Sequence, residues 1–71
     1  MDYEKWSEEY YSQARGITSV IEKYKSELKT SRGKNYERLN SVISGYRCIY
    51  YELLDTARTL EAKAKETAHA A

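Results

Sequence analysis

Few side chains in this sequence could do covalent or metal chemistry, and their spacing keeps them apart. The one cysteine, Cys48, and the one histidine, His69, lie far apart in the chain. A cysteine nucleophile needs a base within hydrogen-bond reach, and no histidine lies near Cys48. A structural zinc site needs about four Cys or His ligands, twice what the chain owns. Glu8 with Glu9, and Glu52 with Asp55, are acidic clusters. Di-iron bundles need an inward Glu-x-x-His pair from each of two helices, and the chain's single histidine allows one at most, so both clusters read as solvated surface. The three glycines, Gly16, Gly33 and Gly45, are too scattered to form a phosphate-cradling loop. The expectation is a protein that is not an enzyme, with no catalytic residues, no metal and no cofactor.

Binding chemistry is better represented. Lys29, Arg32, Lys34 and Arg38 surround Tyr36 in the middle of the chain. Cations around a ring that can stack on a base suit nucleic acid or an acidic partner. The competing reading is that bases near a helix C-terminus favour its dipole and that Tyr36 belongs to an apolar stripe. The chain holds 12 basic and 11 acidic residues, a net charge of +1. A general nucleic-acid or membrane-surface protein shows a stronger imbalance. Eight tyrosines, one tryptophan and no phenylalanine complete the set. Tyr11 and Tyr51 lie off the stripe and are the candidates for contact with another protein, since such rings are enriched at interface hot spots.

The elements that position these groups follow from periodicity. There is no proline, and helix-favouring residues dominate. Tyr36, Leu39, Ile43, Tyr46, Tyr50, Leu53, Ala57, Leu60 and Ala64 recur at alternating steps of three and four. Tyr3, Tyr10, Ala14, Ile17, Ile21, Tyr24 and Leu28 repeat the register, with Ser7 in one slot beside Trp6. Such heptads predict an all-α fold: an antiparallel, coiled-coil-like hairpin of two long helices. The first helix is expected over residues 2–31, the turn over 32–34, the second helix over 35–66, and a frayed tail over 67–71. The whole of 1–71 is then one domain. Asp2 is the expected cap of the first helix, Gly33 its stop, and Asn35 the cap of the second. A break at Gly16, with SVIE from Ser19 as a capping box, would give three helices, but the heptad runs through Gly16 undisturbed. Centring the turn on Gly33 pairs Leu28 with Leu39, Tyr24 with Ile43 and Ile21 with Tyr46, and sets small against large residues toward the open end.

A chain of 71 residues buries only roughly 60% of its unfolded surface when it folds alone. A lone hairpin leaves Trp6, Val20, Val42 and Ile49 beside the stripe, with Leu54 on its opposite flank. Each such side chain stabilises by ~1.5–3 kcal/mol when fully buried, which predicts self-association through these five residues. A homodimer forming a four-helix bundle is the expected result. The first nine residues are acidic and the stretch from Lys23 to Arg38 is basic, so antiparallel rods attract. No apolar run approaches the ~20 residues of a membrane span. The acidic start MDYEKWSEEYYS does not resemble a signal peptide, and an unpaired Cys48 suits a reducing cytoplasm.

Overall fold

Asp2 opens the first helix. Its Oδ1 accepts the amide of Lys5 at 3.0 Å, and its carbonyl accepts the amide of Trp6 at 3.1 Å. The Oδ1 bond satisfies one of the amide groups orphaned at a helix start, and the Trp6 amide makes the first regular bond of the helix. Glu4 in the first turn adds a favourable charge at the positive end of the dipole. The computed structural model describes residues 2–70, with side chains described for residues 2–67. It places helix α1 at Tyr3–Leu28, 26 residues long, unbroken at Gly16.

α1 ends three residues sooner than the expected position 31. Thr30 Oγ1 and Ser31 Oγ both donate to the carbonyl of Glu27, at 3.1 and 2.8 Å, while the amides of Thr30 and Ser31 bond to Glu27 and Leu28. Hydroxyls that bond to nearby backbone offer an alternative to continued helix, and the three-residue amide bonds tighten the last turn.

Helix α2 spans Lys34–Ala70, 37 residues. Gly33 lies immediately before it, with φ at 63° and its carbonyl accepting the amide of Glu37 at 3.2 Å. The left-handed glycine thus aims the chain into α2, whereas it was expected to stop α1. Asn35, expected as the cap, is already inside the first turn. At the far end α2 continues past Glu66 to Ala70, through most of the stretch expected to fray. Ala71 lies outside the described residues, and so does the side chain of His69.

α1 and α2 pack against each other as an antiparallel hairpin, a rod of 58 × 14 × 14 Å. At 1.5 Å per residue α2 alone is about 55 Å long and α1 about 39 Å, so α2 sets the length of the molecule. The heptad resolves into two rows with different fates. The inner row holds Ser7, Ala14, Ile21 and Leu28 in α1, and Tyr36, Ile43, Tyr50, Ala57 and Ala64 in α2. Among the described residues those that are buried, Ser7, Ala14, Ile21, Ile43 and Ala57, all belong to it. Ser7 is only 3% exposed, but its hydroxyl donates to the carbonyl of Glu4 at 2.8 Å, which removes the cost of burying it. The shoulder row holds Tyr3, Tyr10, Ile17 and Tyr24 in α1, and Leu39, Tyr46, Leu53 and Leu60 in α2; all of these are half-buried.

Tyr24 stacks on Tyr46, with ring centroids 5.8 Å apart and planes 20° from parallel. Backbone pairing had matched Tyr24 with Ile43, one turn nearer the loop. Helical side chains lean toward the N-terminus of their own helix. In antiparallel helices the two leans are opposed, so long rings meet partners that the backbone register does not place opposite them.

Candidate interaction surfaces

The helical repeat and the antiparallel arrangement divide the flanking residues between two sides of the rod. Trp6 and Val20 in α1, and Val42 and Ile49 in α2, adjoin the shoulder row and come to one side. Trp6 is 43% exposed and Ile49 44%. Trp6 stacks on Tyr3 at 6.4 Å, and Lys63 Nζ lies 5.9 Å from the centre of the Tyr3 ring. Leu54, which follows a shoulder-row position in the register, takes the opposite side. There it borders a hollow of about 330 Å³ with Tyr51 and Arg58.

The opposite side is held by polar contacts. Tyr11 Oη donates to Glu61 Oε2 at 2.6 Å, the one hydrogen bond between side chains of α1 and α2 among the described residues. Lys65 Nζ approaches Glu61 Oε1 at 3.6 Å. The hydrogen bond from Tyr11, with smaller help from the charges of Lys65 and Arg58, holds the Glu61 carboxyl below its ordinary pKa despite partial burial. Donating that bond, together with burial and the Glu61 charge, raises the pKa of the Tyr11 hydroxyl. Tyr11 is therefore half-buried with its hydroxyl engaged. Tyr51 stands 65% exposed, edge-on to Tyr50 at 5.4 Å, and presents its ring to solvent.

At the turn end, Lys29, Arg32, Lys34 and Arg38 are all exposed. Of the four, Lys29 alone lines a groove of about 390 Å³ that crosses both helices there. Leu28 and Ile43 supply its apolar lining, Tyr36 and Asn40 border it, and Lys25 and Arg47 add two more cations. Tyr36 is 44% exposed and Lys25 also lies 3.8 Å from Glu22. Lys25 and Arg47 were not singled out from the sequence, although they hold equivalent flank positions in the two heptads.

Cys48 is exposed. No group of His, Cys, Asp and Glu side chains able to hold a metal ion occurs among the described residues. No described helix is long and apolar enough to cross a membrane. The chain matches no protein-family model, no curated protein and no solved structure.

Proposed function

We propose that this chain is a non-enzymatic helical hairpin that associates with itself as an antiparallel homodimer, a four-helix bundle, and acts as a protein–protein interaction or scaffold module in the cytoplasm. The observation that carries the reading is the mismatch between its buried and its wet apolar surface. The buried apolar set is Ala14, Ile21, Ile43 and Ala57, and no large side chain is fully buried, while Trp6 and Ile49 stay over two-fifths exposed. A second hairpin covering that surface supplies the burial a chain of this size lacks. Tyr51 and Leu54, on the other side, remain available to a different protein. Association links stability to concentration, so the melting temperature is expected to rise steadily with total chain concentration. A melting temperature independent of concentration contradicts the reading.

The turn-end groove supports a second reading, a small nucleic-acid-associated regulator. Three cations around a half-exposed tyrosine suit a phosphate backbone with a stacked base. A labelled oligonucleotide would then bind with strong salt dependence, and neutralising Lys25, Lys29 and Arg47 would remove the binding. Absence of binding at low salt eliminates this alternative.

A further inference from the structure

We propose that the face carrying Trp6, Val20, Val42 and Ile49 is covered by a second copy of this chain laid antiparallel, with the two-fold axis crossing it between the levels of Gly16 and Gly45. This rests on the self-association reading and specifies its geometry.

Burial distinguishes the two sides of the rod. The half-buried shoulder row, four tyrosines with Ile17 and three leucines, is uncharged throughout and continuous with this face. The other flank of the inner row carries the charged Lys25, Arg47 and Glu61, Tyr11 with its hydroxyl bound to Glu61, and one aliphatic side chain, Leu54. A partner seeking to bury apolar surface finds it on the first side.

Charge names the partner and its direction. The outer edge of the face is formed by residues seven apart: Glu9, Gly16 and Lys23 in α1, and Arg38, Gly45 and Glu52 in α2. In each helix the sign reverses at the glycine. Because the helices are antiparallel, both acids fall on the open half of the rod and both bases on the turn half. None of these four charged residues belongs to an ion pair among the described residues. A half-turn about an axis across the rod sets acids over bases. Glu27 and Lys63, on the face itself, also reverse sign from end to end and are opposed by the same rotation. A parallel copy sets like charges together, which is unfavourable.

The glycines mark where the copies cross. Neither has a positive φ, and a Cβ built at Gly16 or Gly45 meets nothing within 4 Å. The hairpin itself therefore does not require glycine at either position, although glycine disfavours helix. Close approach of another backbone along the stretch between the levels of the two glycines accounts for both.

Sedimentation equilibrium on the full chain tests the geometry. The wild type is expected to be a dimer. Gly16→Gln with Gly45→Gln should weaken it at least about tenfold while helicity by circular dichroism stays equal or rises. Leu54→Gln on the other side should leave association unchanged. Lys23→Glu with Arg38→Glu should weaken the dimer, and adding Glu9→Lys with Glu52→Lys should restore it. A dimeric wild type whose glycine pair variant associates equally well overturns this face and axis but leaves self-association standing. Loss of the dimer on Leu54→Gln does the same. A monomeric wild type overturns both.

Discussion

Tyr11 of α1 donates its hydroxyl hydrogen to Glu61 of α2 at 2.6 Å, and this bond ties the helices together on the side away from Trp6 and Ile49. The two residues hold equivalent flank positions in their heptads, so the antiparallel arrangement brings them to the same side. One side of the rod is thus closed by a polar clasp while the other presents apolar rings.

That clasp predicts a pH dependence at both extremes. Glu61 has a folded pKa below the ordinary carboxyl value of 4.5, chiefly through the Tyr11 hydrogen bond. Its contribution is present above that value and is lost as pH falls through the folded pKa. Tyr11 has a folded pKa above 10.0, chiefly through the same bond. Its contribution is complete below 10.0 and is lost as pH rises through the folded pKa. Thermal melts across the range should show Tyr11→Phe with shallower losses than wild type at both the acid and the alkaline edge. Superimposable pH profiles would remove the clasp from the account.

The inner row should dominate stability. Ile21 and Ile43 are 7% and 3% exposed and are the larger of the buried apolar side chains. Truncating either to alanine should cost about 2–5 kcal/mol, a large fraction of the stability of a small domain. Tyr51→Ala, at a ring 65% exposed, should change stability by about 0.5 kcal/mol or less. Urea denaturation followed by circular dichroism measures both, and equal effects would contradict the placement of the core.

Crowding at a small inner-row residue should also be costly. Ala57 is 0% exposed, so Ala57→Leu drives a larger side chain into the place where the helices meet. Overpacking of this kind costs about 1–3 kcal/mol, although leucine is nearly as good a helix former as alanine. A fall in the urea midpoint is expected. An unchanged midpoint would mean that the helices separate there without penalty.

Gly33 is the one residue among those described with a left-handed backbone, at φ 63°. Gly33→Ala should destabilise by about 1–2 kcal/mol, the cost of a Cβ in that region. Gly33→Asn should cost less, because asparagine tolerates the left-handed region better than most residues. The ranking alanine below asparagine below glycine in melting temperature is the check. Any other order would mean that the turn relaxes to a different conformation.

The hairpin was legible because period and punctuation agree. Two heptads with no proline and a glycine between them leave few alternatives, and the register running through Gly16 decided between two helices and three. The end of α1 was less legible, since Thr30 and Ser31 stop it through hydroxyl bonds that a hydrophobic pattern does not reveal. Sidedness was the larger gap. The register puts Leu54 on the flank opposite Trp6, Val20, Val42 and Ile49, but it does not say which flanks of the two helices come together until the second helix is placed. The same limit hid the pairing of Tyr11 with Glu61 and the joining of Lys25 to Arg47 in the turn-end groove. Each pair draws on both helices across a long sequence separation, and no local motif marks it.

The central claim is that the apolar side of the rod is buried by a second copy. Sedimentation equilibrium of the wild-type chain from low to high micromolar concentration, with circular dichroism on the same samples, tests it most directly. The account predicts a reversible shift from monomer to dimer mass with helicity retained or increased. A monomer at the highest concentration, fully helical, would contradict it.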